Sequence, residues 1–208
     1  SHTIVTGYDG RLTSPSLHKA LCEGLKDSGV KVINIGMGPT PMTYFAHYHF
    51  EADAAVMLTG SHNPSEYNGF KMVFNKHSFF AEDIQSLQKL LDNNELELAN
   101  GHLIYEDITK EYIERVLLNI SLNKKLKIAW DPGNGAMGKV TREISEKLIN
   151  SENFIINEEV DGNFPNHHPD PTVPKNMVQL ISAVKENDCD IGLAFDGDGD
   201  RLGVVDNL

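Results

Sequence analysis

Apolar residues in this chain recur with two periods, and polar, glycine-rich segments interrupt them. Residues 4–8, 31–35, 54–58, 126–130 and 190–195 are short apolar runs, of the kind that form strands buried in a layered sheet. Residues 154–156 and 203–206 read as shorter strands, the second one returning along its neighbour. Residues 70–74 read as a fourth strand of the first unit, antiparallel and at its edge. Between these runs the spacing changes to that of helices. Ser14-Pro15-Ser16 opens one, with Ser14 as cap and Pro15 at the first helical position. Leu17, Leu21 and Leu25 then predict a single buried stripe, and Gly29 closes the helix. Helices are also predicted over residues 41–50, over 81–91 with Ile84, Leu87 and Leu91 inward, and over 109–118 with Thr109 as cap. Two more are predicted up to residue 148, with Val140, Ile144 and Leu148 aligned, and over 174–184. Residues 92–101 carry only a weakly patterned turn. Strand and helix alternate twice, which is the signature of layered α/β units, one over residues 1–120 and a second from 121 to 208.

Three polar segments follow strands, where open α/β sheets bind ligands. The first is Asp196-Gly197-Asp198-Gly199-Asp200-Arg201. Carboxylates at alternate positions repel one another unless a cation compensates, and the glycines let the backbone curl so that all three face one point. Such an all-oxygen set suits Mg²⁺ or Ca²⁺. It is no EF-hand, because Arg201 stands where that loop needs glycine. The bland alternative is a solvated acidic turn. The second segment is Thr59-Gly60-Ser61-His62-Asn63-Pro64, where Ser61 is a candidate nucleophile and no hydrolase elbow surrounds it. Its bland alternative is a turn in which Ser61 and Asn63 cap backbone groups. The third signal is scattered: Arg11, Lys71 and Arg201 stand beside loops and suggest a phosphate-sized anion. His167, His168 and Asp170 were weighed as metal ligands, but adjacent histidines in a proline-rich loop are expected to face solvent.

Composition narrows the partners. Lys plus Arg number 18 against 30 Asp plus Glu, a formal charge of −12. That balance disfavours nucleic acid and anionic membranes but leaves room for a small anion in one cationic cleft. Hydrophobic residues make up 40% of the chain, enough for a packed core. Two cysteines supply no disulfide framework, which points to a reducing, cytoplasmic setting, and no apolar run suggests a membrane span or export signal.

At these loops the sequence resembles the α-D-phosphohexomutase family, in its phosphomannomutase/phosphoglucomutase branch. Thr59 to Pro64, continuing to Tyr67-Asn68-Gly69-Phe70-Lys71, is similar to the family's phosphoserine loop, and Asp196 to Arg201 to its metal loop. Tyr8-Asp9-Gly10-Arg11, Gly38-Pro39-Thr40-Pro41 and Asp131-Pro132-Gly133-Asn134-Gly135 resemble further family segments. The resemblance implies two consecutive three-layer α/β/α domains with mixed, mainly parallel sheets of roughly four strands, the second truncated. It implies that the domains for sugar recognition and phosphate binding are missing, so that the fragment alone lacks turnover. It implies interconversion of hexose 1- and 6-phosphates through phosphorylated Ser61 and a bisphosphorylated hexose, which also serves as activator. One Mg²⁺ would be held by Ser61, Asp196, Asp198 and Asp200. Lys71, with a lowered pKa, would transfer protons. His62 would position the phosphoserine, Arg11 and Tyr8 would line the cleft, and Asn63 and Arg201 would join them in binding phosphate and substrate. Gly60 departs from an alanine common in the family and is expected to loosen the loop. Two other classes remain: a noncatalytic module that binds metal and phosphosugar, and a serine-dependent phosphatase.

Overall fold

A computed structural model describes residues 2–93 and 98–207. Part of the turn predicted over 92–101 therefore lies outside the described residues. The first unit runs β1 (Thr3–Tyr8), α1 (Ser14–Asp27), β2 (Lys31–Met37), α2 (Thr40–His49), β3 (Ala54–Leu58), β4 (Phe70–Phe74), β5 (His77–Phe79), α3 (Glu82–Asp92), β6 (His102–Tyr105) and α4 (Thr109–Leu117). The second runs β7 (Leu126–Asp131), α5 (Gly138–Lys147), β8 (Ser151–Ile155), a 3₁₀ turn (Pro174–Met177), α6 (Val178–Glu186), β9 (Ile191–Phe195) and β10 (Leu202–Asp206). These are two consecutive α/β/α domains with mixed, mostly parallel sheets.

The first sheet has the order β5-β4-β3-β1-β2-β6 and six strands, not four. The central strands β1, β2 and β3 and the edge strand β6 are parallel; β4 pairs antiparallel with β3 and β5 antiparallel with β4, so β4 alone points against the rest. β4 has its expected direction but not its expected place, because the short β5 pairs on its far side. The pattern does not predict β5 and β6, because three and four residues are too few for a strand period to show. The second sheet has the order β10-β9-β7-β8, with β10 antiparallel.

The helices depart from the predicted pattern in four details. α1 buries Ser14, His18 and Cys22, while Leu17 is 42% exposed. The face one residue past the leucine row lies on the sheet, where Cys22 Sγ meets Thr6 Oγ1 at 3.4 Å. Ser14 is not a cap either; its hydroxyl donates to Asp9 Oδ1 at 2.6 Å. At α4 Thr109 is the first helical residue and donates its N–H to Asp107 Oδ1, so it does not cap the helix. α3 forms as predicted, but none of its side chains is buried, and Ile84, Leu87 and Leu91 face outward.

One apolar core joins the two domains. Val5, Ile33, Met42, Ala46 and Ala55 of the first belong to the same buried cluster as Ile128, Trp130, Val140 and Ile144 of the second, and Ile113 of α4 sits between them. A smaller cluster under α6 fills the other face of the second sheet, with Leu180, Val184 and Cys189. Both cysteines are free and buried. Among the described residues no helix is long and apolar enough to cross a membrane. The segments after β1, β3, β7 and β9 all leave the carboxyl ends of parallel strands, and all converge on one cleft between the domains.

Candidate active site

The Ser61 turn is built on a buried hub. Asp9, directly after β1, is 1% exposed. Its Oδ2 accepts the Thr59 hydroxyl at 2.8 Å and the Gly60 N–H at 3.2 Å, and both its oxygens face Arg11. Arg11 spends its guanidinium on the same loop. Nη1 donates to the carbonyls of Pro64 and Tyr67, at 2.6 and 3.0 Å, and Nη2 to those of Ser61 and Asn63, both at 2.8 Å. With Nε on Asp9, all five donors are used. Arg11 is 1% exposed, so it lies beneath the loop and not on the cleft wall. A methyl at Gly60 would fall 2.4 Å from the Arg11 guanidinium carbon. The missing methyl therefore admits Arg11 and tightens the loop, the reverse of the expected loosening. Ser61 itself is held at φ 49°, a left-handed conformation costing a non-glycine residue about 1–3 kcal/mol.

The strained turn aims Ser61 at the carboxylates. Its Oγ donates to Asp196 Oδ2 at 3.0 Å. The amides of Asp200 and Arg201 fix the other oxygen of Asp196 at 3.0 and 3.1 Å. Lys71, on β4, reaches over from the first domain and places Nζ 2.7 Å from Asp198 Oδ2 and 2.6 Å from Asp200 Oδ2. Thr40, at the start of α2, donates its hydroxyl to Asp198 as well. The acidic turn is thus no solvated loop: Asp196 and Asp198 are fully buried.

Burial, then the Asp198 and Asp200 charges, push the Asp196 carboxyl up to about 7. Burial acts on Asp198 in the same sense, but the Lys71 ammonium and the hydrogen bonds from Lys71 and Thr40 outweigh it and hold this carboxyl below the ordinary range. Lys71 feels burial pulling its pKa down, yet the two carboxylates prevail and raise it. The expected lowering is therefore reversed, because Lys71 stands among anions and not among cations. The three carboxylates can offer oxygens within 4.8 Å of one another. Asp198 Oδ1 is buried without a hydrogen-bond partner, an orphaned acceptor aimed into the cluster. An all-oxygen set with a spare buried lone pair fits a hard divalent cation such as Mg²⁺.

His62 lies beside the nucleophile, with Nδ1 3.4 Å from Ser61 Oγ. Asn63 is exposed on the turn. Arg201 is exposed too, and its charge acts on buried Asp170 together with that of His62. Tyr8 is not part of the cluster: its ring packs on His18, 4.7 Å between centroids, beside a separate 260 Å³ cavity under α1. His167 and His168 do not face solvent as their loop predicts. His168 Nε2 is 2.6 Å from the His62 carbonyl, and His167 Nε2 is 2.8 Å from Asp131 Oδ2, with Asp131 fully buried. Asp9, Thr40, Asp131 and His168 all support the cluster. Each stood in a segment already noted for its glycines and prolines, which was the signal available to find them.

Two family models match the chain: phosphoglucomutase/phosphomannomutase α/β/α domain I over residues 1–97 and domain II over residues 110–208. A phosphomannomutase/phosphoglucomutase of Pseudomonas putida is 48% identical over 204 residues, 98% of this chain and 44% of that protein. A phosphoglucomutase of Neisseria meningitidis serogroup B is 44% identical over 97% of this chain and 44% of its own length. A crystal structure of a phosphoglucomutase/phosphomannomutase family protein from Burkholderia thailandensis superposes with a TM-score of 0.92 at 41% identity, covering 99% of this chain and 46% of that one. The chain thus spans a little under half the length of these relatives.

Proposed function

This chain belongs to the phosphoglucomutase/phosphomannomutase family, with that family's first two α/β/α domains, and from this premise we propose that it forms part of a mutase interconverting hexose 1- and 6-phosphates. The observation that carries the proposal is the 3.0 Å contact between Ser61 Oγ and the carboxylate cluster, with Lys71 against the same carboxylates. We divide the chain at residue 120, with the phosphoserine loop in domain I and the metal loop in domain II. The relatives are about twice as long, and sugar selection and phosphate anchoring fall to the part they have in addition. The chain by itself then exchanges phosphate with Ser61 but does not turn over hexose phosphates. A cytoplasmic setting suits such substrates.

In the first half-reaction a sugar hydroxyl oxygen attacks the phosphorus on Ser61. The sugar O–P bond forms, the Ser61 Oγ–P bond breaks, and the hydroxyl proton passes to Lys71 Nζ, which has first given its resting proton to solvent. In the second half-reaction the turned bisphosphate returns its other phosphoryl group to Ser61 Oγ, and the departing sugar oxygen takes a proton. Lys71 is the proton carrier of the set: neutral Nζ takes the hydroxyl proton, the neighbouring carboxylates favour the ammonium so formed, and it returns the proton in the second transfer. His62 orients the phosphoserine, Asn63 and Arg201 face the substrate phosphate from the exposed rim, and buried Arg11 acts only by holding the loop. Asp196, Asp198 and Asp200, together with Ser61, would hold a Mg²⁺ ion, which would supply charge neutralisation for the transferring group. Alignment and charge are what phosphoryl transfer chiefly asks of a protein.

Intact-mass measurement after incubation with glucose 1,6-bisphosphate and Mg²⁺ tests this assignment. One phosphate should appear on the wild type and none on Ser61→Ala. Metal binding with no adduct would replace the proposal by a noncatalytic binding module. Inorganic phosphate released without sugar would replace it by a phosphatase.

A further inference from the structure

Four consecutive carbonyls line the Ser61 turn, and the structure gives each a partner. Those of Ser61, Asn63 and Pro64 go to Arg11, from below and from the first domain. The fourth, that of His62, points the other way and meets His168 Nε2 at 2.6 Å, from the second domain. The Ser61 carbonyl belongs to the peptide that follows the left-handed residue and the His62 carbonyl to the next one, so the two bonds fix the orientation of two successive peptides of the turn. The turn that carries Ser61 at φ 49° is thus gripped by a donor on each side, one from each domain.

His168 is itself oriented. Its carbonyl accepts the Asp170 N–H at 2.9 Å and lies 3.0 Å from His167 Nδ1. The other ring nitrogen of His167 lies 2.8 Å from Asp131 Oδ2. Both nitrogens therefore face acceptors, which an imidazolium satisfies and a neutral ring cannot. Asp131 also accepts from the Gly133 amide at 2.9 Å and from Asn157 at 3.0 Å, so the chain of bonds ends on a buried carboxylate at the tip of β7. The same loop presses on the first domain elsewhere: the Phe164 ring covers the Arg11 guanidinium at 5.4 Å, and a side-chain carbon at Gly162 would meet the Leu12 amide at 2.7 Å.

We propose that His168 is a positioning residue for Ser61: donating from Nε2 to the His62 carbonyl, and oriented through His167 by Asp131, it sets the nucleophile turn from the opposite domain. Its importance rests on Ser61 being the phosphoryl carrier, as proposed above. The geometry does not, and the two are tested separately.

Amide hydrogen exchange on the whole chain, without added metal, reads the turn directly. Wild type is compared with His168→Ala, His168→Gln and Asp131→Asn. Loss of the bond should speed exchange of the Ser61, His62 and Asn63 amides by about fivefold or more in His168→Ala. His168→Gln, whose side-chain amide can donate from a similar position, should restore protection. Asp131→Asn should fall between wild type and His168→Ala. Unchanged exchange in His168→Ala overturns the proposal. So does exchange in His168→Gln as fast as in alanine, which would make the effect one of packing, or equal acceleration of β7 and β9 core amides, which would make it general loosening. An Asp131→Asn turn as protected as wild type removes Asp131 and His167 from the account. Failure of the wild type to take phosphate on Ser61, with the exchange pattern as expected, would strike the functional proposal alone.

Discussion

Asp196 concentrates the conflict between stability and chemistry in one side chain. It is buried beside two other carboxylates, and its folded pKa of about 7 lies above the ordinary 3.8. A carboxyl raised in this way favours the protonated form when folded. Its contribution is therefore unfavourable above the unfolded value, growing as pH rises from about 4 to about 7 and level beyond. Asp196→Asn carries no charge to be buried, and its oxygen can still accept the Asp200 and Arg201 amides. The variant is expected to be more stable than wild type at pH 8 by about 1–3 kcal/mol in urea unfolding without metal, and to lose Mg²⁺ binding in calorimetry. A less stable variant would mean that Asp196 is held by contacts its pKa does not reflect. At this scale the sequence was informative about ligands and poor about supports. Three aspartates spaced by glycines mark a candidate cation site, and the fold brings their oxygens within 4.8 Å of one another. Asp9 and Asp131 looked like ordinary turn residues, because burial 1% or less exposed, with several donors on each, is a property of the tertiary structure.

Elements whose inner face is given by their own periodicity were legible, and those that depend on how close a neighbour comes were not. α5 buries Val140 and Ile144 as its spacing predicts. α1 comes close enough to the sheet to prefer Ser14, His18 and Cys22 to its leucines. α3 carries a clear apolar row and buries none of it, so the row reports amphipathicity without a partner. Its substitution should therefore be mild. Leu87→Ser is expected to change the unfolding free energy by less than about 0.5 kcal/mol, whereas Ile113→Ala in α4, fully buried between the domains, should cost about 2–5 kcal/mol. Urea titration of the two variants separates these cases. The loop from 161 to 172 has its own signature in pH. Its His167 is raised above the ordinary 6.5, first by the hydrogen bond to Asp131, against burial. A raised histidine stabilises fully below its unfolded pKa, and that support is lost as pH climbs through the higher folded value. Between pH 6.5 and 9 the wild-type urea midpoint should fall relative to His167→Gln, in which nothing titrates at this position. Parallel curves would show that His167 is neutral in the fold.

Taken whole, the molecule is two domains by sheet and one by core. The strand and helix alternation made both sheets visible in the sequence. It could not show that Ile108 and Ile113 carry a continuous apolar cluster from Val5 to Ile144. A shared core couples the domains' stabilities, so thermal unfolding followed by calorimetry and circular dichroism should give one transition with coincident midpoints. Two separated transitions would place the cooperative boundary at the cleft. Gly197 adds a further constraint: a side-chain carbon there would stand 2.5 Å from the Ser61 carbonyl, so the two reactive loops touch backbone to backbone. Such a seam leaves little latitude for mixing ancestries. A hybrid taking its first half from one relative and its second from another inherits a working serine only when both donors keep this tight joint, however well each half folds.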